Sequence, residues 1–161
     1  ISAKQGTNED KDNVKNYSAN INHEKFISPA TKFFNTIYLR QTIAEYDGSS
    51  TNQTGYEGDN RMMALQSGLN NFNSTSNADF VLYLTKYDRE YDERGTIDNY
   101  YSNVIGSKYD YSYKFNEKLS YGFGADYSYE WGKFNNRGSY EASTKGNLDK
   151  FALFGNFGFE N

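Results

Sequence analysis

Several residue types that shape or equip most folded domains are scarce in this chain. Among 161 residues there are no cysteines, one proline and one histidine. The absence of cysteine excludes structural disulfides and thiolate metal sites. The single histidine, His23, has no serine or aspartate that the sequence can place beside it, so we interpret it as a structural residue and not a catalytic base. The chain is therefore predicted not to be an enzyme.

Long apolar runs and concentrated positive charge are also missing. No stretch of 18 apolar residues occurs, which excludes a membrane-spanning helix. Lysine and arginine number 17 against 21 acidic residues, for a net charge of −4, and no basic patch points to nucleic acid. The sequence has neither an initiating methionine nor a signal peptide. We therefore expect an internal piece of a longer chain.

Aromatic residues are abundant, at 18% of the chain, and they alternate with polar residues. Side chains on a strand alternate between two faces, so such a pattern gives one apolar face and one polar face. The alternation has a period of two in residues 99–115 and 118–132, and again in residues 147–159 apart from Phe154. The residues assigned to the apolar face are Tyr109, Tyr111, Tyr113, Leu119, Tyr121, Phe123, Tyr127, Tyr129, Trp131, Phe151, Leu153 and Phe157.

These alternating stretches are too long for ordinary globular strands, which run about 5–6 residues. Long strands with aromatic residues outside and glycine, serine and charge inside are typical of a transmembrane β-barrel wall. The residues of the apolar face are then lipid-facing, and Trp131 with Tyr129 belongs to an interfacial aromatic girdle. Gly122 and Gly124 are interpreted as inward glycines that make room in the lumen. A soluble two-sheet sandwich, with the tyrosines in a sealed core, is the alternative.

The fold class predicted is all-β, an antiparallel up-and-down meander that forms an open segment of a transmembrane β-barrel. The lipid face of the fourth strand stays ambiguous, because Phe80, Leu82 and Leu84 compete with Val81, Tyr83 and Tyr87. Longer connections are assigned to the extracellular side and shorter ones to the periplasm. About seven strands are predicted, over residues 14–26, 32–46, 60–72, 79–91, 99–115, 118–132 and 147–159.

Acidic residues gather at the predicted extracellular ends of three neighbouring strands. Asp10 and Asp12 lie in the first loop, Asp47 opens the next outside loop and Asp59 closes it. Convergent carboxylates with a backbone carbonyl can supply the oxygen ligands that calcium requires. The alternative is ordinary solvated loop charge, which the residues alone favour.

Taken together, these motifs resemble the barrel of TonB-dependent outer-membrane receptors. The resemblance is carried by the opening Ile1-Ser2-Ala3, the acidic first loop, the tyrosine-rich strands, Tyr46-Asp47-Gly48 and Glu90-Tyr91-Asp92. It covers residues 1–161 as part of a receptor barrel, without the plug domain and the remaining strands. Within that family, the order of the motifs is most similar to the cobalamin receptors.

The resemblance implies a calcium site. Cobalamin receptors bind calcium through an Asp-x-Asp in one loop, a Tyr-Asp at the start of the next, and an aspartate before the following strand. Asp10 and Asp12 match the first element, Tyr46 and Asp47 the second, and Asp59 the third. A further family aspartate corresponds to Ser2 here, which implies fewer ligands and weaker affinity.

The function that the resemblance implies is binding and TonB-dependent import of a corrinoid such as cobalamin across the bacterial outer membrane. The implied partners are the lipid bilayer, the rest of the same barrel with its plug, TonB acting through that plug, and the small-molecule ligand. A siderophore receptor or a porin, without calcium-ordered loops, is the alternative.

Overall fold

The computed structural model describes residues 13–46, 56–93, 96–137 and 142–159. They form a single antiparallel sheet in which each strand pairs with its neighbour in sequence, in the order β1 to β7. These described ranges contain no helix long and apolar enough to cross a membrane. The strands are β1 (Val14–Ser28), β2 (Thr31–Tyr46), β3 (Tyr56–Phe72), β4 (Ser76–Glu93), β5 (Thr96–Lys114), β6 (Leu119–Arg137) and β7 (Ala142–Phe159).

The β1–β2, β3–β4 and β5–β6 turns, called here the short turns, lie at one end of the sheet, and polar side chains close them. Connection length does not separate the two ends as expected, because residues 94 and 95 alone join β4 to β5 at the opposite end. In the β3–β4 turn, the Asn73 side-chain oxygen accepts hydrogen bonds from the backbone N–H groups of Thr75 and Ser76, both at 2.9 Å. In the β5–β6 turn, the Asn116 oxygen accepts from the N–H groups of Lys118 and Leu119. Asparagine suits these positions because its short side chain can satisfy turn donors locally.

The predicted meander is confirmed, but the strands run further than the alternation indicates at the end away from the short turns. β5 begins at Thr96 where the pattern predicts 99, β6 continues to Arg137 where it predicts 132, and β7 begins at Ala142 where it predicts 147. Most of the added residues are polar, with Ile97, Phe134 and Ala142 as the exceptions. They do not alternate with a period of two, although backbone pairing continues.

The register divides the sheet into two faces, because directly paired residues share a face. Apart from the register shift after Phe26 in β1, the apolar face carries the odd-numbered residues of every strand except β4, where it carries the even-numbered ones. The polar face carries the others. This settles the ambiguous strand. Leu84 pairs with Leu65 and Ile105, and Phe80 pairs with Leu69 and Tyr109, on the apolar face.

No second layer covers the sheet in the part of the chain that the structure describes. Ala44 is the only buried apolar side chain there, and the buried polar ones are Asn99, Ser102 and Ser128. The two-sheet sandwich alternative is therefore wrong, since Tyr109, Tyr121 and Phe123 lie on the exposed face of one sheet.

Aromatic rings lie over glycines on the polar face. Phe34 is paired with Gly68, Tyr83 with Gly106, and Phe154 with Gly124. A methyl group at any of these glycines would collide with the ring opposite and with backbone of the neighbouring strand. The room that Gly124 provides is thus filled by Phe154, and these glycines allow rings to lie flat on the sheet.

We expect Gly68→Ala to destabilise the full-length protein by roughly 1–3 kcal/mol, because the new methyl would meet the Phe34 ring at 2.6 Å and the Phe80 carbonyl oxygen at 2.5 Å. Gly146→Ala is the matched control, since nothing lies within 4 Å of its added methyl. Urea unfolding followed by circular dichroism measures both. Equal losses at the two positions would contradict the ring-over-glycine packing.

Candidate functional site

The twelve residues that the sequence predicts to be lipid-facing share one continuous surface. All twelve are odd-numbered residues of β5, β6 or β7, so the register brings them to the apolar face. Phe123 is 51% exposed and Leu153 73% exposed. Exposure on this scale leaves a contiguous apolar area that soluble monomers rarely show. The set comprises Tyr109, Tyr111, Tyr113, Leu119, Tyr121, Phe123, Tyr127, Tyr129, Trp131, Phe151, Leu153 and Phe157.

Rings on this surface contact one another across strands. Phe123 lies between Tyr111, at a centroid distance of 5.3 Å, and Tyr109, at 6.2 Å. Tyr113 and Tyr121 lie 5.5 Å apart. These tilted cross-strand pairs are the sheet's equivalent of core packing, because the side chains find partners within their own face.

At the far end of the surface, polar atoms join the rings. Tyr129 and Trp131 stack at 5.6 Å with an interplanar angle of 24°. The Tyr127 hydroxyl donates to Asp149 at 2.8 Å, and Asn147 donates to the Tyr129 hydroxyl at 3.3 Å. Rings with an apolar body and a hydrogen-bonded tip are suited to an apolar–aqueous boundary.

The polar face carries charged groups that are bonded to each other between strands. Glu130 accepts a hydrogen bond from the Ser102 hydroxyl at 3.0 Å and pairs with Lys150 at 3.1 Å. The Tyr83 hydroxyl donates to Asp126 at 3.0 Å, across β5. These contacts connect three strands at a time, so the polar face reinforces the register that the backbone sets.

A second polar group lies nearer the short turns. Asp79 accepts hydrogen bonds from the side-chain amides of Asn70 and Asn77. It is directly paired with Asp110, which Lys108 neutralises at 2.8 Å. Two carboxylates opposite each other would repel, and the amides and the ammonium offset that repulsion.

Most of the predicted metal ligands lie outside the described residues: Asp10, Asp12 and Asp47. The backbone of Tyr46 pairs with Tyr56, and its side chain is likewise not described. Asp59 lies at the far end of the apolar face, where its carboxylate accepts from Gln41 at 3.0 and 3.1 Å and pairs with Arg61. In the described ranges, no three histidine, cysteine or acidic side chains form a group that could hold a metal. The calcium site stays a prediction.

Comparisons with protein-family models, with curated protein sequences and with solved structures found no match to this chain. The resemblance to TonB-dependent receptors therefore stands on the residues quoted for it, and it remains a prediction.

Sequence reasoning left the face of Tyr83 and Tyr87 open, and apart from Phe154 it placed no aromatic residue on the polar face. Besides the rings over glycine, the aromatic residues of that face include Tyr87, Tyr100 and Phe134, which lie near the far ends of β4, β5 and β6. A signal was present, because Tyr100 and Phe134 interrupt the polar side of the alternation.

Tyr83 contributes both a hydrogen bond from its hydroxyl and packing of its ring over Gly106, and two substitutions separate these contributions. Tyr83→Phe removes the hydroxyl that donates to Asp126 and keeps the ring over Gly106, so we expect a loss of roughly 0.5–1.5 kcal/mol. Tyr83→Ser also uncovers Gly106 and should cost clearly more. Unfolding free energies of the full-length protein provide the measurement, and a loss in Tyr83→Phe as large as in Tyr83→Ser would contradict this division.

Proposed function

We propose that this sheet is part of the wall of an outer-membrane β-barrel, with its apolar face against lipid and its polar face toward the lumen. The observation that carries the proposal is the exposed aromatic and aliphatic band on one face of an unlayered meander. In water, such a surface would be left without a partner. Lipid hydrocarbon supplies one, because it solvates apolar side chains on the outside of a barrel.

The slope of the band supports the same orientation. On β2 the apolar-face residues centre near Ile37, and the register carries Ile37 across to Asp149 on β7. On β7 the apolar residues centre near Gly155, about six residues further along. The centre of the band therefore shifts by about six residues between β2 and β7, which are five strand spacings apart. This is a shift of roughly 4 Å along the strand axis for each 4.8 Å between neighbouring strands. A level band then requires strands tilted by about 40°, within the range of membrane barrels.

The height of the band agrees as well. From Leu119 to Trp131, β6 rises about 40 Å along its axis, at roughly 3.3 Å per residue. At a tilt of about 40°, that length spans about 30 Å along the membrane normal, close to the thickness of bilayer hydrocarbon with its aromatic girdles.

The open edges of the sheet require further strands. β1 and β7 each pair on one side only in the described sheet. Unpaired backbone groups in hydrocarbon would cost several kcal/mol apiece, so a membrane wall of this kind needs closure by the rest of the barrel.

Within this class we propose a TonB-dependent receptor that imports a corrinoid such as cobalamin. The support is the motif order that resembles the cobalamin receptors, together with a hydrogen-bonded polar face suited to a wet lumen. Its mechanism is binding, not bond chemistry. Extracellular loops capture the ligand, and calcium on Asp10, Asp12, Tyr46, Asp47 and Asp59 orders them, so less entropy is lost on binding.

Adjacent residues of β7 provide a test of the membrane orientation. Leu153 lies on the apolar face near the centre of the band, while Ala152 lies on the polar face opposite Asp126. Leu153→Arg should cost roughly 2–4 kcal/mol in the full-length protein folded into vesicles, and Ala152→Arg should be nearly neutral because Asp126 can neutralise it. Urea titration measures both. Equal costs would contradict the assignment of faces.

Ligand binding tests the finer proposal. The full-length protein should bind cyanocobalamin more tightly with calcium than with a chelator, and Asp47→Asn should reduce that difference. Isothermal titration provides the readout, with ferrichrome as the comparison ligand. Preference for ferrichrome would favour a siderophore receptor, and ion conductance in planar bilayers without ligand binding would favour a porin.

A further inference from the structure

A cavity of about 440 Å³ lies on the polar face at the end of the sheet away from the short turns. Its volume falls within the range of small-molecule sites. β4, β5 and β6 supply its walls, so three adjacent strands of one sheet hold it. Its lining consists of Tyr87, Arg89, Tyr91, Asp98, Tyr100 and Phe134.

The rings of this cavity have surface exposed for contact. Tyr100 is paired with Arg89 on one side and with Phe134 on the other, so no glycine lies opposite it. Tyr100 is 40% exposed and Phe134 39% exposed. Tyr87 meets Tyr100 edge-on, at 6.1 Å and 60°, and its hydroxyl is held by Asn60 at 2.8 Å. The cavity therefore offers fixed aromatic faces.

The two charged residues of the cavity have different partners. Arg89 and Asp98 lie diagonally across β4 and β5, yet no ion pair joins them in the described structure. Asp98 instead accepts a hydrogen bond from Asn136. The Arg89 guanidinium lies over the Tyr91 ring, at 5.9 Å from its centroid. No carboxylate of the described residues forms an ion pair with this guanidinium, so its N–H donors are available to an anion.

We propose that this cavity binds a small ligand that combines a planar aromatic ring with one carboxylate or phosphate group. The ring stacks on Tyr100 and Phe134, and the anionic group takes the N–H donors of Arg89. The site depends only on the geometry of the polar face, and it does not require the ligand to be a corrinoid.

The experiment uses full-length protein in detergent micelles with four probes. Indole-3-acetate carries a carboxylate and adenosine monophosphate a phosphate; indole and adenosine are their uncharged counterparts. We expect measurable binding of at least one anionic probe by saturation-transfer NMR, and weaker binding of its uncharged counterpart. The two anionic arms distinguish which group the site accepts. Absence of binding by both anionic probes at 10 mM or so would overturn the proposal.

Variants assign the binding to the cavity. Arg89→Gln should weaken the anionic probe about tenfold or more, the loss expected for a hydrogen bond to a charged group, and leave the uncharged one unchanged. Tyr100→Ser should weaken both. Arg40→Gln is the control, because Arg40 is an exposed arginine of the same face outside this cavity. Equal effects of Arg89→Gln and Arg40→Gln, or none in either, would refute the site.

The folding of each variant is checked by circular dichroism and by urea titration in vesicles, the same assay that is used for Leu153→Arg. Those measurements report the membrane orientation and do not depend on the cavity. Normal insertion with no probe binding would overturn the cavity alone, and failed insertion of the wild type would overturn the barrel proposal alone.

Discussion

The register of backbone pairing is the constraint on which the rest of this structure depends. It shifts between Phe26 and Ser28 of β1 and is continuous in the other described strand pairs. With no second layer in the described ranges, no core holds the strands in place, and Ala44 alone is a buried apolar residue. Because side chains alternate with a period of two, a slip of one residue in any strand would move its whole apolar set to the polar face. The cross-strand contacts on both faces act against such a slip.

The two faces stabilise the register by different chemistry. On the apolar face, rings such as Phe123 and Tyr111 pack on cross-strand neighbours, and Phe123 stays half exposed. On the polar face, chains of hydrogen bonds such as Ser102–Glu130–Lys150 cross several strands. A sheet with this division is matched to two different surroundings, which is the physical basis for assigning one face to lipid and the other to a wet interior.

Composition does not distinguish two groups of aromatic residues on the polar face. Phe34, Tyr83 and Phe154 lie over glycines, so their surface is used in packing against the sheet. Tyr100 and Phe134 have no glycine opposite and line a cavity beside Arg89. The identity of the residue directly across the register decides which group a ring joins.

Much of this architecture is determined by the sequence alone, because period-two alternation is a local property. The all-β class, the order of the strands and the shared face of Leu119 to Trp131 all follow from neighbours along the chain. Tertiary structure decided what depends on partners distant in sequence. It assigned Phe80, Leu82 and Leu84 to the apolar face and extended the strands into stretches that do not alternate. It also placed Phe154 over Gly124 and Arg89 over Tyr91. A pattern read along one strand does not contain its register with the next, and side-chain contacts across the sheet are set by that register.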